Sequence, residues 1–304
     1  MAYAEGACGG DGDDSPFSSL LSGLPATPPG YYREAIGRQH VLYRPPQCAR
    51  VAPHCFHLDT VAAEHPLWSG YVWNASRALA DALCAAPEWV RGRTVCELGA
   101  GAGLVSVVAA RACGAALVVA TDYPDEEVMR ALRGNAGRNG PSDEDVYSQA
   151  PVERSCCTGN IHVLPYRWGD DATAVRACLP HPAAGFDVLL LADVISYHSA
   201  HTALADSVAW LLRRHEDAVA LLAFSHHRPH VRQRDEDFFR MICQRHGLLA
   251  REWHAPVDML PMFPDDPGEA VIRGRVHFMQ LQWPRDGRNR ECNSIPSCTR
   301  QDFT

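Results

Sequence analysis

The stretch that most constrains the fold of this chain runs from Thr94 to Asp122. A short apolar run, Thr94 to Glu97, passes through Leu98 into Gly99-Ala100-Gly101-Ala102-Gly103 and then into the apolar stretch Leu104 to Ala112. A second apolar run, Leu117 to Thr121, ends at Asp122. A strand that breaks into alternating glycines where a helix begins leaves bare backbone at the helix N-terminus, where side chains would keep a ligand away. Two strands connected through a helix lie parallel.

The rest of the chain repeats the pattern. Ile161 to Leu164, Phe186 to Ala192 and Ala218 to Phe224 are short and apolar, as strands buried on both faces should be. Helical spacing marks Ser76 to Cys84, Asp125 to Asn139 with Val128 and Leu132 four apart, Ser199 to Arg214, and Asp235 to His246. In Ser199 to Arg214 the residues Leu204, Val208, Leu211 and Leu212 share one face, and Ser199 is the expected N-cap. Two late runs, Leu248 to Trp253 and Val276 to Trp283, are separated by a Pro-rich loop and form an antiparallel pair. The expectation is an α/β protein: a Rossmann-like, seven-stranded, mostly parallel sheet with an antiparallel last strand and helices on both faces.

Composition narrows the partners. With 304 residues, 46% of them hydrophobic, the chain can bury one large core. A formal charge of -8 argues against generic attraction to phosphate backbones or anionic lipid, so nucleic acid is not an expected partner. The longest apolar stretch, Leu98 to Ala120, is interrupted by glycines and Arg111 and does not read as a membrane span. The N-terminus carries Glu5, Asp11, Asp13 and Asp14 and no early basic residue, so no signal peptide is read there and a cytoplasmic location is expected. Twelve scattered cysteines contain no CxxC pair, and no metal is expected. Residues 1–30, rich in Gly, Asp, Ser and Pro, read as a flexible arm, and the arm is taken to extend over residues 1–55. Residues 285–304 read as a disordered tail, and Pro141 to Asn160 as an insertion.

The glycine loop selects the ligand. A dinucleotide fingerprint wants glycine at its first, third and sixth positions, but the sixth position counted from Gly99 is Leu104. Glu97 would add negative charge beside a pyrophosphate while favouring an ammonium or sulfonium. Asp122, 19 residues after Gly103, is spaced to accept hydrogen bonds from ribose hydroxyls, whichever nucleoside is bound. S-adenosylmethionine carries the ribose and both cationic groups.

Further motifs occur in one order: His65-Pro66-Leu67-Trp68-Ser69-Gly70-Tyr71-Val72-Trp73-Asn74-Ala75, Thr121-Asp122-Tyr123-Pro124-Asp125, Tyr166-Arg167-Trp168-Gly169, Leu191-Ala192-Asp193, His198-Ser199-Ala200-His201 and Ser225-His226-His227-Arg228-Pro229. Together they resemble the nicotinamide N-methyltransferase-like branch of the class I methyltransferases. Within it they resemble the fungal-type enzymes that methylate the N-terminus and a neighbouring lysine of translation elongation factor 1-alpha. The likeness spans residues 56–284, taken as one methyltransferase domain. It implies that Trp73, Gly99, Ala100, Gly101, Asp122, Trp168 and Ala192 line a cofactor pocket, to which Glu97, Gly103 and Tyr123 are added from the loop and strand ends. It also implies a protein acceptor; separately, a monomer is expected.

Relatives in that branch carry an aromatic residue three positions after the strand-end aspartate. Here Ser196 stands at that position and Tyr197 follows. Methyl transfer to nitrogen needs a neutral amine, partly available at physiological pH for an α-amine of pKa about 7.7 to 8.0 and scarce for lysine at about 10.4. Asp193 is expected to orient that amine, with Tyr197 or His198 bordering its channel; the competing reading is that Asp193 and Ser196 cap the next helix. His226, His227 and His230 lack accompanying metal-ligand spacing and read as solvent-facing or substrate-loop residues. Three functions follow: methylation of a protein N-terminus or lysine, N-methylation of a small amine such as nicotinamide, or a non-catalytic adaptor that retains the pocket.

Overall fold

The computed structural model describes residues 38–46, 49–51, 55–63, 65–140 and 157–285. Expectations that fall on residues 1–37, 141–156 and 286–304 lie outside the described residues. A hairpin comes first: β1 (Arg38–Tyr43) pairs antiparallel with β2 (Phe56–Ala62), inside and just after the segment read as an arm. Helix α1 (Asn74–Ala85) follows, then β3 (Thr94–Leu98), α2 (Leu104–Arg111), β4 (Leu117–Asp122) and α3 (Glu126–Arg138). The order continues with β5 (Cys157–Thr158), β6 (Ile161–Pro165), α4 (Thr173–Arg176), β7 (Val188–Ala192), α5 (His201–Leu211), β8 (Val219–Ser225) and α6 (Arg232–His246). The chain finishes with β9 (Leu249–Asp258), α7 (Ala270–Gly274) and β10 (Arg275–Gln282).

Seven strands form the expected sheet in the order β6-β4-β3-β7-β8-β10-β9, and the two-residue β5 adds an antiparallel margin beside β6. Pairings from β6 to β8 are parallel, whereas β10 runs antiparallel to both β8 and β9. The apolar runs are strands because each residue finds a hydrophobic layer on its own side. Along β7, Val188 and Leu190 face one cluster while Leu189 and Leu191 face the other. The first layer is covered by α1, α2 and α3 through residues such as Leu79, Leu83, Val108 and Leu132; the second is covered by α5 and α6 through Leu204, Val208, Phe238 and Ile242.

Helix ends follow local chemistry in places. Asp125 caps α3 by accepting the Glu127 and Val128 N–H groups, and Gly247 ends α6 at φ 75°. Ser199 does not cap α5 as the sequence suggested. It lies in a 3-10 turn, His198–Ala200, and Ala200 precedes the helix without a side-chain cap.

The hairpin is fastened by two asparagines, Asn135 of α3 and Asn139 at its C-cap, that act as a substitute strand. Asn135 accepts the Asp59 N–H and donates to the Asp59 carbonyl, both at 2.8 Å, and Asn139 does the same for His57. Asn135 also donates to the Ala102 carbonyl, which ties this contact to the glycine loop. Among the described residues no helix is long and apolar enough to cross a membrane.

Candidate active site

A cavity of about 530 Å³ opens where β3, β4, β6, β7 and β8 end, the place where a parallel sheet leaves its loops free to hold a ligand. Its floor is the β3–α2 loop. Gly99 and Ala100 donate their N–H groups to the Thr121 carbonyl at 3.0 and 2.9 Å, holding the loop across the end of β4. Gly99, Gly101 and Gly103 all have positive φ, which only glycine adopts without strain. Their surroundings differ. A Cβ on Gly99 would meet Val194 Cγ1 at 2.7 Å and Trp168 Cζ2 at 3.1 Å, one on Gly103 would meet Leu132 at 2.5 Å, and one on Gly101 would meet nothing within 4 Å. Gly101 therefore presents bare backbone to open space.

Asp122 stands beside it, buried, with Oδ2 accepting the Gly101 N–H at 2.6 Å and Oδ1 accepting the Tyr123 N–H at 2.7 Å. Burial pushes its pKa up to about 6, so it is mostly a carboxylate at neutral pH and keeps lone pairs to offer. Tyr123, Trp168 and Ala192 complete this end, with the Trp168 ring against Gly99 and edge-on to Tyr197.

The other end is aromatic. Trp73 precedes α1 and donates Nε1–H to the Trp68 carbonyl at 3.0 Å. Its ring meets Trp68, Tyr71, Phe263 and His227 edge to face, with centroids 5.0 to 6.3 Å apart. Phe263 arrives from the Pro-rich loop between β9 and α7, which Arg273 holds by donating to the Phe263, Pro264 and Gly268 carbonyls. Asn74 pins the same loop through the Leu260 carbonyl.

Asp193 lies between the two ends. It follows β7 in the left-handed region, φ 58°, a conformation uncommon for a residue with a side chain and most tolerated by Asn and Asp. Its N–H donates to the Ala223 carbonyl, and its Oδ1 accepts the Ser225 N–H at 3.0 Å and lies 3.0 Å from His227 Nε2. Oδ2 is buried with no hydrogen-bond partner among the described residues. The carboxylate caps nothing, so the helix-capping reading of Asp193 does not hold. Tyr197 lines the cavity with its hydroxyl donating to the Leu67 carbonyl, and burial pushes its pKa up, keeping it a phenol.

Three expected residues are not on the cavity wall. Glu97 shares a strand face with Val95 and turns under α2, where it accepts the Ser106 N–H at 2.9 Å and the Ser106 hydroxyl. Burial pushes its pKa up to about 8, so at neutral pH it is largely an uncharged brace between strand and helix, and the inference that its charge draws a cation to the loop is corrected. Gly103 is glycine because α2 packs against Leu132 there. His198 faces away, its Nε2 2.6 Å from Asp235 Oδ1, and the other Asp235 oxygen meets His226 Nδ1 at 2.7 Å. Conversely, Phe263 and Asp266 line the cavity without local sequence signal, Tyr71 stood only in a motif read for its family likeness, and His227, read as solvent-facing or in a substrate loop, lines the cavity. Among the described residues no group of three or more His, Cys, Asp or Glu side chains is arranged to hold a metal ion.

The donor set suits S-adenosylmethionine. A bare glycine backbone accepts close approach, a buried carboxylate matches ribose hydroxyls, and aromatic rings with an unpaired carboxylate oxygen favour a cationic centre. Residues 65–245 match the model of a family described as lysine methyltransferase. A protein N-terminal and lysine N-methyltransferase of Emericella nidulans is 33% identical over 73% of this chain and 83% of that protein. The protein of the same name from Eremothecium gossypii is 38% identical over 71% and 76%. Among solved structures, a precorrin-6y methyltransferase of Geobacter metallireducens overlays with a TM-score of 0.42 at 12% identity, over 69% of this chain and 86% of that one. The chain belongs to the lysine methyltransferase family, and S-adenosylmethionine is its methyl donor.

Proposed function

We propose that this enzyme methylates a protein, at an N-terminal α-amine, a lysine or both, that its acceptor is translation elongation factor 1-alpha, and that it works as a cytoplasmic monomer of the nicotinamide N-methyltransferase-like branch. The observation that carries this reading is Asp193, a cavity-lining residue between the glycine floor and the aromatic end whose buried Oδ2 has no hydrogen-bond partner among the described residues. A channel walled by Trp73, Tyr71 and Phe263 suits an unbranched lysine chain or a chain terminus, with apolar methylenes against rings and the nitrogen at a carboxylate. The names of the two relatives support a protein acceptor.

When bound, S-adenosylmethionine supplies an electrophilic methyl group on a cationic sulfur. Gly99, Ala100 and Gly101 line its seat with backbone, Asp122 accepts its ribose hydroxyls, and Trp73, Tyr123, Trp168 and Ala192 enclose it. Glu97 and Gly103 hold that loop from behind. Asp193 orients the acceptor amine, Tyr197 walls its path, and His198 acts at a distance by fixing Asp235. Positioning carries most of the catalysis, because in-line displacement at a sulfonium needs alignment more than covalent help.

The same aromatic end favours a second reading, a small amine enclosed on all sides. Radiolabelled cofactor incubated with purified elongation factor 1-alpha, with protein-free extract and with whole extract separates the two. The chain contains no lysine, all 28 of its Lys and Arg residues being arginine, so label on lysine belongs to the acceptor. Label on the elongation factor is expected; label confined to a small molecule overturns the proposal. Asp193→Ala should bind cofactor normally and lose transfer at least a hundredfold, and full turnover in that variant would sink its assigned role.

A further inference from the structure

The acceptor amine reaches the site as an ammonium, and the reaction needs a group to take its proton. Tyr197 is held as a phenol, and His198 is committed to Asp235. His227 has neither restriction. It sits in the tight turn after β8, where its N–H donates to the Ser225 carbonyl, and its imidazole lines the cavity edge-on to Trp73 with ring centroids 5.0 Å apart. Nε2 lies 3.0 Å from Asp193 Oδ1, while Nδ1 makes no hydrogen bond among the described residues. The Nε2 contact is at ion-pair distance without hydrogen-bond alignment, as catalytic pairs often are before a ligand fills the site.

We propose that His227 is the proton acceptor for the substrate amine, with Asp193 as the carboxylate that holds its tautomer and stabilises its imidazolium. This rests on the protein-amine reading above and names the group that prepares the amine. With Nε2–H directed at Asp193, the Nδ1 lone pair takes a proton from the acceptor ammonium, leaving a neutral amine. The amine lone pair then forms the bond to the methyl carbon as the carbon–sulfur bond breaks, its electron pair passing to sulfur. The products are a thioether and a methylated ammonium, and the imidazolium proton leaves to water. The division of labour matches other His–carboxylate pairs, in which the carboxylate orients the ring and is not itself protonated.

The surroundings are consistent with that role. Three carboxylates from different elements face His227: Asp193 after β7, Asp235 on α6 and Asp266 in the loop carrying Phe263. Arg228, its neighbour, is directed to the Ser196 carbonyl, and the adjoining His226 is bonded to Asp235. Burial disfavours the imidazolium, but the carboxylates outweigh it and leave the pKa raised, which makes the ring a better base than a free histidine.

Three measurements on the full chain decide the matter. In the cofactor-free protein, the NMR titration of His227 is expected to shift to lower pH in Asp193→Asn; an unmoved titration removes the pairing. In turnover, His227→Gln should keep its cofactor dissociation constant within twofold by calorimetry. Its kcat should fall 10²- to 10³-fold near pH 7.5, with recovery above pH 9 as the free amine becomes abundant in water. In His227→Ala, added imidazole should restore part of the rate. Unchanged kcat with an unchanged pH profile overturns the proposal, as does cofactor affinity lost in step with the rate, which would make His227 a wall of the pocket. If the wild type labels a small amine and no protein, the function proposed above fails, and the same pH profile read with that amine still decides the role of His227.

Discussion

The two ends of the cavity are made of different material. The cofactor end is mostly backbone: glycines at positive φ, N–H groups held on the Thr121 carbonyl, and one carboxylate at a strand terminus. The acceptor end is mostly side chains, with Tyr71 and the cofactor-sharing Trp73 after the hairpin, Asp193 and Tyr197 after β7, His227 after β8 and Phe263 from between the last strands. Backbone can hold one ligand shape with little sequence freedom, whereas side chains on separate loops can change the acceptor without disturbing the sheet.

The largest expected effects come from the glycine floor, where two neighbours should fail differently. Gly99→Ala adds left-handed strain and a clash with Val194 and Trp168, together about 2–4 kcal/mol, and should lower the urea midpoint markedly. Gly101→Ala carries the strain alone, about 1–2 kcal/mol, and should fold but bind cofactor at least tenfold more weakly. Normal cofactor affinity in Gly101→Ala would break the assignment of the floor.

Next is Asp122→Asn, which weakens charge-assisted hydrogen bonds worth about 1.5–3 kcal/mol and should raise the cofactor dissociation constant about 10- to 100-fold by calorimetry. Set beside Asp193→Ala, which should spare cofactor binding, it makes the two ends separable; equal loss in both variants would merge them.

The smallest effect belongs to Glu97, and its sign is informative. Its folded pKa is raised to about 8 from an ordinary 4.5, so between those values the folded chain holds a proton that the unfolded chain has released. Stability from this group is therefore full below about pH 4.5 and declines as pH rises towards 8. Glu97→Gln should flatten that decline and melt higher than wild type at pH 8, by on the order of 2 kcal/mol, with cofactor affinity nearly unchanged. A large loss of affinity would return Glu97 to the ligand.

How far the sequence could be read differs between the same two ends. Apolar runs of four to eight residues, helical spacing and the absent sixth-position glycine were enough to expect the sheet, its antiparallel finish and the ligand class, because these are consequences of side-chain alternation and backbone freedom within one short stretch. Gly99, Gly101 and Asp122 are close in the chain and close in space. Glu97 and Gly103 belong to the same motif, yet which side of the strand each faces depends on what packs beneath it: Ser106 for one and Leu132 for the other.

The hairpin of β1 and β2 was not expected, since two asparagines some 80 residues away, in α3 and at its C-cap, supply its outer partner. Phe263 had no signal either. It reaches Trp73 only because Arg273 and Asn74 hold the Pro-rich loop from two other elements. His226 and His227 are neighbours with opposite fates, one bonded to Asp235 and the other beside Asp193 in the cavity, and nothing in the letters separates them. The sequence alone determined the sheet, the glycine floor and its acid, because those features are local; the acceptor end was decided by tertiary packing, which alone brings the ends of four loops around one point.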